Sequence, residues 1–239
     1  MTSTQTFHTR NAGLDDLETG LAHDFYREIH KGIRYALFQT TMHAGRADVG
    51  DTDQIDDLLA RCTDLVDLLH LHHYHEDGFI QPLLVTHAPE LGVGVEAQHV
   101  DIDAGVARLR QLGDRLATAS HRARGAVAHQ LYLDLTGFTG VYLDHQLFEE
   151  SQVMPTLCAA VPTAELESLH MALRQSVAPD VMADIMGVML PAMNVGERAD
   201  MLGGMSMAPA EVFAVFRAAA EAVLTPAEFA EVATRIGLI

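Results

Sequence analysis

Residues 72–84 read HHYHEDGFIQPLL, and residues 145–157 read HQLFEESQVMPTL. Each segment opens on a histidine, places a glutamate four residues on (Glu76, Glu149) and follows it with a second acid (Asp77, Glu150). Each carries a proline ten residues after the histidine (Pro82, Pro155) and a leucine two residues beyond that. Recurrence in this detail, 73 residues apart, is the pattern of a duplicated helical hairpin.

The surrounding sequence agrees with helices. Apolar residues recur at three and four positions over long stretches, and the period-2 alternation of β-branched residues that marks strands is missing. Four long helices are expected at about 13–44, 54–86, 93–123 and 125–157, and the breaks between them carry turn chemistry. AGRADVGDTD at 44–53 offers Asp51, Thr52 and Asp53 as N-caps. Long helices with short connections imply an all-α fold, an up-down-up-down four-helix bundle. From about 162 the helices shorten to roughly 163–176, 179–191, 195–204, 208–223 and 226–237; Thr225-Pro226-Ala227-Glu228 reads as a capping box with proline at the first helical position. The expected organisation is a bundle over residues 1–158 and a smaller C-terminal helical region over 159–239. Seven of the 11 methionines lie between Met182 and Met207 and read as adaptable core filler rather than a pocket-gating or partner-binding surface. With His170 as its only histidine, this region is not expected to hold the chemistry.

Composition narrows the function. With 33 acids against 15 lysines and arginines the formal charge is −18, so phosphate backbones and anionic membranes are repelled. Cys62 and Cys158 are too few for a disulfide framework and are not spaced like a zinc site. The first residues, MTSTQTFHTR, lack a signal-peptide apolar stretch, and no run is long enough to span a membrane, so a soluble cytoplasmic protein is expected.

Helix geometry places the repeated pair. Residues four apart share a helix face. His72 and Glu76 share theirs with Leu65, Leu68, Leu69, Phe79 and Leu83; His145 and Glu149 share theirs with Leu131, Phe138, Val141, Tyr142 and Phe148. These are apolar stripes that turn inward. Two buried carboxylates, each beside an imidazole, are costly unless a cation or a salt bridge compensates them. Imidazole with carboxylate suits iron, manganese or zinc, and two bridging-capable carboxylates suit a two-metal site. The other two helices offer His30, on the face of Tyr26, Ile33 and Leu37, and His99, on the face of Val95, Ile102 and Val106. Antiparallel hairpins bring each back to the level of its partner. His73 and His75 flank the stripe, and His70 points away from it.

His30, His72-x-x-x-Glu76, His99 and His145-x-x-x-Glu149, with HKGIR at the first histidine and a proline after each acid pair, resemble the hemerythrin-like (HHE cation-binding) family over about residues 14–157. The resemblance implies a bundle of hemerythrin type holding two non-haem iron ions, bridged by carboxylates and completed by histidines. Manganese or a mixed iron–manganese pair is the alternative, ahead of zinc. The sequence departs from the oxygen-carrying members, which place a second histidine on the third helix where this chain has Asp103, and an aspartate on the fourth where it has Glu149. Asp103, Glu96, Tyr142 or a water can fill that position. Such a site points to peroxide or dioxygen chemistry rather than reversible oxygen carriage. Tyr26 and Tyr142, one turn before His30 and His145, are candidate donors to a bound oxygen species, and Arg34 is placed to neutralise a carboxylate. Gly137 and Gly140 are expected to let helices approach closely.

The implied function is a di-iron oxidoreductase consuming hydrogen peroxide or a related oxidant, with catalase- or peroxidase-like activity. The alternatives are a sensing or storage module for oxygen, nitric oxide or iron, and a substrate oxygenase. A closed metal shell favours the former alternative; a buried pocket opening onto the metals favours the latter. The expected partners are peroxide or a diatomic ligand, with a second copy or a protein partner through the C-terminal region left open.

Overall fold

The computed structural model describes residue 21 and residues 23–239. The described residues are helical throughout, with no strand among them, as the periodicity requires. Helix α1 (Arg27–Arg46) is followed by α2 (Thr52–His75), a π-helical turn (Glu76–Ile80) and α3 (Gln81–His87). Then come α4 (Pro89–Ala117), α5 (His121–Phe148), a second π-helical turn (Glu149–Val153) and α6 (Met154–Ala160). The remainder forms α7 (Thr163–Ser176), α8 (Pro179–Ala192), α9 (Val195–Met205), α10 (Ala210–Val223) and α11 (Pro226–Arg235).

Local chemistry sets the helix ends. Of the first expected helix, residues 13–20 and 22 lie outside the described residues. Helix α1 begins only at Arg27 because the Asp24 carboxylate accepts the backbone N–H groups of Tyr26 (3.0 Å) and Arg27 (3.1 Å), which caps it. Asp51 caps α2 through the N–H groups of Asp53 and Gln54. Pro89 opens α4 four residues earlier than the apolar pattern indicates, since proline suits a first turn.

The two π turns were not anticipated from sequence. In each, a backbone N–H reaches five residues back instead of four: Gln81 to the Glu76 carbonyl, and Met154 to the Glu149 carbonyl. The cause lies in the repeated prolines. Pro82 and Pro155 donate no hydrogen bond, and in an α-helix their rings would crowd the carbonyls of Gly78 and Ser151. A widened turn accommodates each proline without ending the rod. It also shifts the inward face. Beyond Glu76 the buried positions are Ile80 and Leu84, while Phe79 and Leu83, expected inward, are half-buried. Val141, also expected inward, is 49% exposed.

Helix α1 packs on α2 and α5, and α4 packs on the same two, which closes a ring of four. Neighbours run antiparallel. Arg110 meets Asp67 while His73 meets Asp103, which orients α4 against α2. Thr41 meets Thr139 while His30 meets Glu150, which orients α1 against α5. The start of α1, the end of α2, the first half of α4 and the end of α5 therefore converge at one level. An apolar core lies on one side of that level, built from Ile33, Leu37, Leu58, Leu109, Leu131 and Leu135 among others. A second core lies on the other, with Tyr26, Ile80, Leu84, Val153 and Leu157. Each fully buried leucine contributes about 1.5–3 kcal/mol, so the polar layer between the cores is held by its surroundings.

Close helix approach occurs at glycines other than those expected. A Cβ on Gly105 of α4 would stand 2.5 Å from Phe138 of α5, and one on Gly32 of α1 would stand 3.0 Å from Met189 of α8. Gly137 and Gly140 meet nothing within 4 Å; they face outward, away from any neighbour. Through the Gly32 contact α8 lies along α1, and a third core of Met186, Met189, Leu190, Phe216 and Val232 packs beneath it.

Candidate metal centre

At the converging level the structure brings together His30 from the start of α1, His99 from the first half of α4, and His72 and His145 from the ends of α2 and α5. Glu76 and Glu149 are the first residues of the π turns. All six are buried. The Glu76 carboxylate has Oε1 3.0 Å from His72 Nε2 and Oε2 3.4 Å from His99 Nε2. Glu149 Oε2 lies 3.3 Å from His145 Nε2 and 3.4 Å from His30 Nε2. Two four-residue sets result: His30, His72, Glu76 and Glu149; and Glu76, His99, His145 and Glu149. Both carboxylates belong to both sets.

The donor set fits cations. The Nε2 atoms of His30, His72 and His99 and all four carboxylate oxygens of Glu76 and Glu149 are buried without a hydrogen-bond partner. Such atoms cost about 1–3 kcal/mol each when left unpaired. Two of the imidazoles, those of His30 and His145, are pushed toward the neutral state that a metal requires. Burial pushes His30 down to about 4 against the opposing pull of Glu150. Burial pushes His145 down to about 3 against the pull of Glu76. In the carboxylate pair, burial and then the charge of Glu76 raise Glu149 well above the usual range. Burial acts upward on Glu76 as well, but His72, His99 and His145 outweigh it and hold that carboxyl low.

Hydrogen bonds orient two of the cluster's imidazoles from behind. His30 donates its Nδ1–H to Glu150 Oε1 at 2.9 Å, and Arg34 grips the same carboxylate through both oxygens at 2.8 and 3.0 Å. His145 donates its Nδ1–H to Gln98 at 2.9 Å. Asp77 Oδ1 stands 3.6 Å from His99 Nδ1. These contacts leave Nε2 facing the cluster. The repeat flagged Asp77 and Glu150 but assigned them no role. Gln98 carried no signal, and neither did Gln146, which is wholly buried with both amide atoms unpartnered.

Asp103 is not brought into the cluster. Its side chain is 54% exposed and pairs with His73 Nδ1 at 3.3 Å, because position 103 lies a turn beyond His99 on the outer side of α4. The two halves therefore differ behind their ligands. Arg34, four residues after His30, neutralises Glu150, whereas Asp103, four residues after His99, adds a second acid around His73. Tyr26 and Tyr142 are buried beside the cluster, their rings 4.8 Å from His30 and 5.6 Å from His145. Burial, then the charges of Glu76 and Glu149, push both phenols up, so they stay protonated.

A cavity of about 850 Å³ borders Tyr26, His72 and Glu76. Its far wall holds Met182, Met189, Met193, Met201, Met205 and Met207. The methionine run is core filler as expected, with Met186, Met189 and Met193 in the third core and Met182, Met201 and Met205 packed against it, and all of the seven but Met186 also line the cavity. The C-terminal helices supply no ligand but enclose this space. They also tie down the residues before α1, where the His23 and His170 rings share a 2.8 Å hydrogen bond.

An antiparallel ring of helices around a buried imidazole–carboxylate cluster defines a class: helical proteins that bind cations between their helices. A sequence model of the hemerythrin HHE cation binding domain matches residues 21–157. That covers more than half the chain, which therefore belongs to the hemerythrin HHE family. Searches of curated proteins and of solved structures matched nothing. No helix among the described residues is long and apolar enough to cross a membrane.

Proposed function

We propose that this chain is a non-haem di-iron protein of the hemerythrin-like kind that binds and reacts with hydrogen peroxide or dioxygen species. What carries the reading is that Glu76 and Glu149 belong to both four-residue sets while their oxygens, close to histidine Nε2 atoms, have no hydrogen-bond partner. In this reading His30 and His72 would hold one ion, His99 and His145 the other, and the two glutamates would bridge them within an up-down-up-down bundle of hemerythrin type. Asp103 stands outside the set. Manganese is the alternative metal on the same donor chemistry. When bound, the metal pair would supply Lewis acidity and redox chemistry toward a small oxidant.

The protein's own groups prepare that chemistry. Glu76 and Glu149, the carboxylates both ions would share, stand at the first positions of the two π turns. Glu150 and Gln98 orient His30 and His145, which holds their Nε2 lone pairs inward. Tyr26 and Tyr142 keep their protons and stand ready to donate to an oxygen species beside the cluster. The apolar cores on both sides limit water.

Purified protein tested for metal content, and for its optical spectrum before and after peroxide, checks this reading. It fails if iron and manganese are both missing, or if His72→Ala combined with His145→Ala leaves metal content and peroxide turnover unchanged. A second reading, oxidation of an organic substrate at the same centre, is supported by the cavity reaching His72 and Glu76. A sensing or storage role for oxygen, nitric oxide or iron stands on the same donor set.

A further inference from the structure

The C-terminal helices present a question the metal cluster does not answer: why enclose about 850 Å³ beside it? The volume lies in the range of about 300–1,000 Å³ typical of small-molecule sites, and such sites favour the seam between structural units. This one lies between α1 and α2 of the ring and α7 to α10. Its wall includes seven methionines, side chains that adjust to irregular apolar shapes at little cost. The lining carries Glu28, Asp200 and Glu197, the last paired with Lys31, against Arg174, on a chain of net charge −18. Such a lining disfavours anionic ligands, fatty acids among them. At the inner end His72 and Glu76 border the space directly. Among the described residues the His72 ring has no hydrogen-bonded protein neighbour behind it, unlike His30 and His145.

We propose that the cavity is a binding site for a neutral, apolar small molecule, held with one end against His72 and Glu76. The position of that end beside a metal rests on the di-metal reading; the cavity and its ligand chemistry do not. It follows that the methionine-rich region is the ligand-holding part of the molecule, and that any organic compound reaching the centre enters from the His72 side.

The test uses the full chain and the neutral fluorescent probe N-phenyl-1-naphthylamine, with protein both metal-loaded and chelated. Saturable uptake of about one probe per chain with a blue-shifted emission is expected in both forms. Met201→Trp and, separately, Met205→Trp fill the cavity from two helix positions and should weaken uptake about tenfold or more. Met201→Leu should preserve it, and a thermal melt confirms that each variant is folded. At equal occupancy the emission should be lower in the metal-loaded form, because a paramagnetic ion beside His72 quenches a nearby dye. No saturable uptake, or uptake indifferent to both tryptophans in folded protein, overturns the proposal. Equal emission with and without bound metal overturns the placement against His72. Uptake by a chain that never retains metal would sink the di-metal reading while leaving the cavity site standing. A chain that sediments as a dimer and takes up no probe places a second copy in the cavity and refutes the small-molecule assignment.

Discussion

Removing the metal should destabilise the whole protein, not only inactivate a site. The cluster places seven unpartnered polar atoms, from His30, His72, His99, Glu76 and Glu149, in a layer between two apolar cores. At about 1–3 kcal/mol each, they would consume a stability that for most domains totals about 5–15 kcal/mol. Bound cations supply the missing partners. Each site held at about 100 times its dissociation constant adds about 2.7 kcal/mol, and two sites add about 5 kcal/mol. For a chain of this size that corresponds to about 10–20 °C in Tm. The assay is thermal unfolding followed by circular dichroism at neutral pH, before and after exhaustive chelation, with metal content measured on the same samples. His72→Ala removes one donor from one set and should forfeit about half of the increment. A Tm that stays within about 2 °C on metal removal would refute the reasoning, as would a full increment retained by His72→Ala with His145→Ala.

Four further outcomes follow from the same geometry. Because burial and then Glu76 raise Glu149 well above the usual carboxylate range, metal uptake should release a proton where the metal-free carboxyl still holds one, and affinity should rise with pH through that range; indicator dye in weakly buffered solution, read across a pH series, follows the release, and its absence at every pH contradicts the assignment. Asp103→Asn should leave metal content unchanged while His99→Ala lowers it, as elemental analysis of both variants will show, since Asp103 lies outside the cluster. Arg34→Met releases Glu150 from its grip and should weaken the His30-side ion by about 10–100-fold in a metal titration. Gly105→Ala should cost about 1–3 kcal/mol in chemical denaturation because its Cβ meets the Phe138 ring, whereas Gly137→Ala should stabilise by about 0.5–1 kcal/mol.

Legibility followed the range of the interaction. The ligand candidates His72, Glu76, His145 and Glu149 were readable because i and i+4 spacing on an apolar stripe is a local property, and the repeat supplied it twice. His30 and His99 followed from hairpin symmetry. The π turns were not read, although Pro82 and Pro155 within otherwise helical stretches were their signal. A proline removes a hydrogen bond in the preceding turn, but whether the helix then ends, kinks or widens depends on the packing around it. Gly137 and Gly140 were misjudged because a glycine in a helix says nothing about which neighbour approaches it; that is decided by facing side chains such as Phe138 and Met189.

Sequence alone determined the helical class, the two matched His–Glu pairs and the inward direction of their faces, because periodicity and motif spacing act along a single helix. Only the tertiary structure decided which carboxylate meets which imidazole. It alone placed Glu150 behind His30 and Asp103 outside the cluster, and made a run of methionines into a cavity wall. Those outcomes depend on how far apart packed helices stand and how they are rotated, quantities set by the whole core and recorded in no single stretch of the chain.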